Sequence, residues 1–167
     1  MPGVPDVYQG NETVDLSLVD PDNRRPVDHA AHAARLERMI EGAGADGVGD
    51  EKLWLTHRAL GLRRERPELF AGRHAAYRPL PTTTSHAVAF GRGVDEAPVE
   101  AVTVATRLAH GLAQRGGWGD ARLSLPEGRW RDLLTGRSVE GGLVPLRELL
   151  EELPVALLVR ESEGAGR

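Results

Sequence analysis

The first 28 residues restrict what this chain can fold into more than any other stretch does. The segment from Pro2 to Asp28 reads PGVPDVYQGNETVDLSLVDPDNRRPVD. Prolines and glycines at positions 2, 3, 5 and 10 fix the backbone around a short extended run, Val4 to Tyr8. A dense set of charged and amide side chains follows: Glu12, Asp15, Asp20, Asp22, Asn23, Arg24, Arg25 and Asp28. This composition predicts the end of a strand followed by an ordered functional loop.

The same stretch carries a resemblance to a known family. The pattern PG-x-P-x-x-Y-x-G-x-E resembles the eighth-strand motif of the α-amylase superfamily of (β/α)8 barrels. It is filled by Pro2, Gly3, Pro5, Tyr8, Gly10 and Glu12. The fourteen residues from Asp15 to Asp28 are similar to one branch only, the maltooligosyl trehalose synthase family. That family usually has Thr, Leu and Trp where this chain has Asn11, Thr13 and Val14. Val14 therefore lacks the aromatic ring that could stack on a sugar.

The resemblance implies an α+β chain that holds only part of a barrel. A (β/α)8 barrel needs about 250 residues, whereas this chain has 167. Residues 1–70 would be the last strand, a loop and two helices of a truncated barrel, and residues 71–167 a C-terminal antiparallel β-sandwich. In the family, the nucleophilic Asp, the acid/base Glu and a third essential Asp follow earlier strands. No catalytic residue can therefore be matched here, and the chain alone is expected to be inactive.

The family also implies a reaction and its partners. The complete enzyme would convert the reducing-end α-1,4 linkage of a maltooligosaccharide into an α,α-1,1 (trehalose) linkage by intramolecular transglycosylation. A retaining mechanism would pass through a glucosyl-enzyme intermediate. The implied partners are the maltooligosaccharide and the missing N-terminal portion of the barrel, and no metal or organic cofactor is implied.

Composition excludes several other classes of function. The formal net charge is −4 with acidic and basic residues interleaved, so there is no basic surface of the kind that binds nucleic acid. The absence of cysteine excludes disulfides, thiolate catalysis and cysteine-ligated zinc. The longest apolar run, Val155 to Val159, is far below the ~20 residues that span a bilayer. With no signal-peptide pattern at the start, we expect a soluble cytoplasmic protein.

Two helices are predicted after the loop. Asp28 is placed to cap a first helix, which Gly42 ends. A glycine-rich connection leads to Asp50, which we expect to cap a second helix running from Glu51 to about Arg66. Pro67 ends that helix, and the run from Leu62 to Phe70 resembles the last barrel helix of the superfamily.

From Ala71 onwards the pattern changes to short β-type segments separated by turn clusters. The predicted strands are His74 to Leu80, His86 to Gly91, Val99 to Arg107, Ala121 to Leu125, Arg129 to Leu134, and Val155 to Arg160. Strands at this spacing are typical of an antiparallel sandwich. Leucines at helical spacing predict one short helix between Pro145 and Leu153.

Six side chains form the substrate-binding prediction: Tyr8, Glu12, Asp22, Asn23, Arg24 and Arg25. Because barrel active sites form at the C-terminal ends of strands, the resemblance implies that they line the rim of the cleft. Arginine and asparagine supply directional donors for sugar hydroxyls, and aspartate supplies acceptors. The alternative is an Asp–Arg network that only holds the loop against the next helix. That alternative stays open above all for Arg25 and Asp28, which adjoin the helix cap.

Two other chemical interpretations of the polar residues are weaker. His29 and His32 lie three apart on the first helix, a spacing that can serve a metal, but the sequence places no third ligand. Glu12 and Asp22 could form an acid/base pair of the glycosidase type. A loop without a barrel beneath it could not hold them with the required accuracy.

A different class of function is a stand-alone, non-catalytic module whose β-sandwich binds a glucan or another protein. Trp118, between glycines, is the best candidate for an exposed stacking residue, whereas Trp130 is expected in the core. The first stretch favours the enzyme, because a free module has no use for a barrel-strand motif.

Overall fold

The structure, a computed structural model, describes Tyr8 and residues 10–161. The chain divides into two units, Met1–Gly61 and Leu62–Arg167, called here the first and second units. The predicted strand from Val4 to Tyr8 lies, except for Tyr8 itself, outside the described residues. None of the helices in the described part of the chain has the length and apolar character needed to cross a membrane.

Helix α1 follows residues 10–28 of the first unit, which we call the polar loop. A short 3-10 turn, Asp22–Arg24, precedes α1, which runs over His29–Ile40. The backbone N–H of Ala31 donates to Asp28 Oδ1 at 2.9 Å, so the predicted N-cap is confirmed. The helix ends before Gly42, as predicted. That residue has a φ of +101°, which favours glycine.

Helix α2, Val48–Glu65, begins earlier than the sequence predicted. The prediction that Asp50 caps it from outside is wrong, because Asp50 lies in the first turn and is only 1% exposed. Its Oδ2 accepts a hydrogen bond from the Asp46 N–H at 3.1 Å, and Arg35 Nε lies 2.8 Å from its Oδ1. The sequence correctly predicted that Asp50 lies near the N-terminus of the helix. The burial of Asp50 depends on packing against residues such as Arg35, and the spacing of residues along α2 does not predict that packing. The helix ends before Pro67, as predicted.

The described part of the second unit, up to residue 161, contains six strands and two short helices. The strands are β1 (Ala75–Pro79), β2 (Ala87–Val94), β3 (Ala101–Thr106), β4 (Arg122–Asp132), β5 (Ser138–Pro145) and β6 (Val155–Arg160). Helix α3 (Ala109–Gln114), which the sequence did not predict, follows β3, and α4 (Leu146–Leu149) lies within the predicted helical stretch. All neighbouring strands are antiparallel, in the order β1-β2-β3-β6-β4-β5.

The predicted antiparallel pairing is confirmed, but the prediction of a two-sheet sandwich is wrong, since these six strands form one sheet. Strand β4 explains the difference. Its end, Trp130–Asp132, pairs with β6, while nearer its start Leu123 forms a bridge with Thr82. The register shifts between Leu125 and Arg129, and such a bulge bends and twists a strand. The two strands predicted in this stretch are therefore one bent strand.

Strand β5 was missed because its glycines resemble a turn. Gly141 lies where β5 approaches the β4 bulge, and a Cβ on it would come within 2.3 Å of the Pro126 carbonyl oxygen. Only glycine permits that approach without a shift of the backbone. The glycine pattern therefore marks a close contact between strands and not a connection.

The core of the second unit is one apolar cluster between the sheet and α4. Its largest member is Trp130, which is fully buried as predicted and donates from Nε1 to the Pro126 carbonyl at 2.9 Å. The Arg160 guanidinium carbon lies 4.6 Å from the centre of its ring. Trp118 is partly buried and packs against the cluster, so its prediction as an exposed stacking residue is wrong.

Candidate functional site

The polar loop of the first unit begins at a glycine that its surroundings require. Gly10 has a φ of +97°, and a Cβ there would lie 2.6 Å from Val27 Cγ2. Its N–H donates to Glu12 Oε2 at 2.9 Å, and the Asn11 N–H donates to the Tyr8 carbonyl at 3.1 Å. This tight turn leaves the Tyr8 side chain exposed. Glu12 therefore serves the backbone of the turn.

Asp22 organises the middle of the loop with both carboxylate oxygens. Oδ2 accepts a hydrogen bond from the Leu18 N–H at 2.9 Å, and Oδ1 is paired with the Arg25 guanidinium. Asn23, beside it in the 3-10 turn, is exposed. Asp22 thus positions the Arg25 guanidinium, and the Asn23 side-chain amide beside it is in contact with solvent.

A second Asp–Arg pair lies on the outside of the loop. Arg24 donates through Nε and Nη2 to the two oxygens of Asp20, at 3.1 and 2.6 Å, and both side chains are exposed. Nearby, the Ser17 backbone N–H and then its hydroxyl lower the pKa of the Asp15 carboxyl below its usual value. The Asp–Arg pairing expected under the alternative is thus present for Arg24 and, through Asp22, for Arg25 as well.

The loop and the start of α1 enclose a cleft of about 660 Å³. Of the six residues predicted to bind substrate, four line it: Tyr8, Asp22, Asn23 and Arg25. Glu12 and Arg24 are not among its lining residues, and their visible contacts brace the loop. The lining is predominantly polar, which suits a ligand rich in hydroxyl groups more than an apolar one.

His32 is a cleft residue that the sequence reasoning considered only as a metal ligand. Its Nε2 lies 3.3 Å from Thr13 Oγ1, and its Nδ1 lies 3.8 Å from Glu12 Oε2. Lys52 Nζ donates to the Thr13 carbonyl at 2.8 Å. These contacts tie the loop to both helices within the first unit. Among the residues that the structure describes, no group of three or more His, Cys, Asp or Glu side chains is arranged to hold a metal ion.

Comparison with known proteins gives a consistent result. No protein-family signature matches the chain. The chain is 42% identical over 165 residues, 97% of its length, to putative maltooligosyl trehalose synthases from two strains of Mycobacterium tuberculosis. Its structure matches maltooligosyltrehalose synthase from Arthrobacter ramosus with a TM-score of 0.83 and 47% identity over 96% of the chain. The DSM5389 glycosyltrehalose synthase, at 23% identity and a TM-score of 0.54 over 96% of the chain, shares the fold alone.

These matches make the chain similar to one part of proteins described as trehalose-forming synthases. More narrowly, the resemblance to the C-terminal part of maltooligosyl trehalose synthase, which the sequence predicted, is confirmed. The chain spans about a fifth of the length of these relatives: 19% of each Mycobacterium tuberculosis protein, 20% of the Arthrobacter ramosus chain and 19% of the DSM5389 chain.

Proposed function

We propose that this chain forms the C-terminal part of an enzyme that converts the reducing-end α-1,4 linkage of maltooligosaccharides into an α,α-1,1 linkage. The observation that carries the proposal is the 47% identity and TM-score of 0.83 to a maltooligosyltrehalose synthase over 96% of the chain. Chemistry would take place in the complete enzyme, on carboxylates that are contributed by other parts of it.

In the complete enzyme, residues 1–70 would supply the last strand, loop and two helices of the (β/α)8 barrel. One feature supports this placement: the polar loop is followed by α1 and α2, the order expected at the end of a barrel. The six-stranded sheet of the second unit would belong to the domain that follows the barrel, in residues 71–167.

The loop would contribute part of the subsites for the reducing end of the substrate. Arg25 and Asn23 would donate hydrogen bonds to sugar hydroxyls, and Tyr8 would offer an exposed ring edge and hydroxyl. Asp22 would hold Arg25 in place through the ion pair already present in the loop. Glu12 and Arg24 would support this geometry from behind, since neither lines the cleft.

A chimaera tests the proposal. The matching C-terminal fifth of the Arthrobacter ramosus synthase is replaced by this chain, and conversion of maltopentaose is followed as loss of reducing ends. We expect the chimaera to form the non-reducing product and the chain alone to form none. Arg25→Ala in the chimaera should lower kcat/KM by about 10- to 150-fold, the loss of one charged hydrogen bond.

The matched control is Arg38→Ala, which removes an exposed arginine of α1 that does not line the cleft. It should leave kcat/KM within about twofold, as surface substitutions usually do. A folded chimaera that leaves the reducing ends of maltopentaose intact contradicts the proposed activity. Equal losses in Arg25→Ala and Arg38→Ala contradict the role given to the cleft.

A further inference from the structure

The polar loop carries three large apolar side chains that are strongly exposed to solvent. Leu16, Leu18 and Val19, which we call the apolar patch, are 89%, 75% and 83% exposed. A single exposed leucine is ordinary, but adjacent large apolar side chains mark a surface that interacts with something. Leu18 and Val19 do not line the cleft, whereas Leu16 does, and the cleft chemistry described above gives a role to none of the three.

The backbone of the loop is fixed in the conformation that presents the patch. The Ser17 N–H donates to Asp15 Oδ1 at 2.8 Å, and the Leu18 N–H donates to Asp22 Oδ2 at 2.9 Å. The Asp22 N–H donates to the Val19 carbonyl at 3.2 Å. Asp15 and Asp22 are thus turned to the loop's own backbone, while the three apolar side chains of the patch are exposed. Several large exposed apolar side chains in one short segment mark an interaction surface.

The length of the relatives indicates what covers the patch. They are about five times as long as this chain, which spans 19% of one and 20% of another. We infer that the apolar patch is the surface on which the remainder of a maltooligosyl trehalose synthase chain docks, through an apolar surface of its own. The inference rests on the proposed function, and it assigns a partner to Leu18 and Val19, which lie outside the cleft, and to Leu16 at its lining.

Thiol labelling tests the inference directly, because the chain has no cysteine. Leu18→Cys is made in the isolated chain and in the chimaera with the Arthrobacter ramosus synthase, and the rate of maleimide modification at that peptide is measured by mass spectrometry. Burial in the chimaera should slow the reaction at least about tenfold, since reaction then requires local opening. The control is Leu143→Cys, at a 65% exposed position in β5 of the second unit, which should react at similar rates in both proteins.

The outcomes separate this inference from the proposed function. Unchanged labelling of Leu18→Cys in a chimaera that converts maltopentaose overturns the docking inference and leaves the function standing. Slowed labelling in a folded but inactive chimaera contradicts the proposed function and leaves the docking inference standing. Equal slowing at positions 18 and 143 contradicts a patch-specific contact. Slowed labelling in the isolated chain as its concentration rises would show that a second copy, and not the synthase remainder, covers the patch.

A second measurement keeps the inference testable where the chimaera does not fold. The chain is co-expressed with the remaining four fifths, approximately, of the Arthrobacter ramosus synthase, and copurification is compared with that of a Leu16→Ser, Leu18→Ser double variant. We expect the parent chain to copurify with the synthase remainder. The amount of the double variant that copurifies should be lower by at least about tenfold, the effect of losing the burial of one or two leucines. No copurification, together with a chimaera that does not fold, overturns the inference.

Discussion

The two units of the chain differ in how many of their apolar side chains are buried. Among the described residues, nineteen of the twenty-one buried hydrophobic residues lie in the second unit. Nine of the twelve exposed large hydrophobic side chains lie in the first unit. The second unit therefore has a core of its own, whereas the described part of the first unit fully buries few apolar side chains and presents apolar surface outwards.

This difference indicates that the units obtain their stability from different sources. Buried apolar area is the dominant favourable term in folding, so the sheet of the second unit should be stable by itself. The first unit depends on hydrogen bonds that are each worth about 1 kcal/mol net, and it should become stable when a partner covers it. We therefore expect urea to unfold the first unit of the isolated chain before the second.

The largest expected effect comes from removing the centre of the apolar cluster. Trp130→Ala deletes a fully buried ring that also donates to the Pro126 carbonyl, and such changes cost about 3–5 kcal/mol. Urea unfolding followed by circular dichroism should show this loss in the transition of the second unit. Val88→Ala, on the same sheet but 41% exposed, should cost less than about 1 kcal/mol. Similar losses in the free energy of unfolding for both variants would contradict a core of this unit centred on Trp130.

A smaller and more revealing pair of variants concerns the buried carboxylates. Asp132 is 2% exposed and accepts hydrogen bonds from the Leu134 N–H, the Leu157 N–H and the Thr135 hydroxyl, at 3.0, 3.2 and 2.9 Å. Asp132→Ala leaves buried donors without an acceptor and should cost about 3 kcal/mol. The expected loss is measured as the fall in the urea midpoint of the second unit.

Asp50 is as buried as Asp132, but its arginine partner is half exposed. When Asp50 is replaced by alanine, water can solvate Arg35, so the cost should be nearer 1 kcal/mol. The fall in protection from amide hydrogen exchange along α2 measures this cost. If Asp50→Ala costs as much as Asp132→Ala, the first unit is more tightly packed than its few buried side chains indicate, and the contrast between the units weakens.

The features that could be predicted from the sequence are those encoded over a few residues. Asp28 caps α1 because its carboxylate reaches an amide three residues on, and strand β6 follows from an unbroken β-type run. The family resemblance depended on fourteen consecutive residues of the loop. Each of these signals is local, so spacing along the chain is enough to find it.

The features that were missed depend on contacts between distant residues. The single sheet arises because β4 bends and meets both β6 and Thr82. Strand β5 was hidden by Gly141, which is needed for a close approach to the β4 bulge. In the site, the distinction between cleft-lining Arg25 and outward-facing Arg24 depends on a short 3-10 turn. Two neighbouring arginines offer the same chemistry to sequence reasoning, and only the turn separates them.

The smallest expected effects concern two exposed carboxylates, one in each unit. The Ser17 amide and hydroxyl lower the pKa of Asp15, and the Arg66 guanidinium lowers the pKa of Glu68. A carboxylate whose pKa is lowered in the folded state stabilises that state above its unfolded pKa, and the contribution is lost as the pH falls through the folded pKa. Both contributions should therefore disappear in acid, below about pH 4.

Salt should distinguish the two carboxylates. The first cause at Glu68 is a direct hydrogen bond from the charged Arg66 side chain, and both side chains are exposed to solvent. The pKa of Glu68 should therefore move towards its usual value as ionic strength rises. The first cause at Asp15 is a hydrogen bond from a backbone amide, which salt screens little. Carboxyl titrations by NMR at low and high salt measure both pKa values. Arg66→Gln removes the first cause at Glu68, whereas Ser17→Ala removes only the hydroxyl beside Asp15 and keeps the backbone amide. An equal salt response at the two sites would mean that the Asp15 loop is held by long-range charge, and not by the local hydrogen bonds that fix the apolar patch.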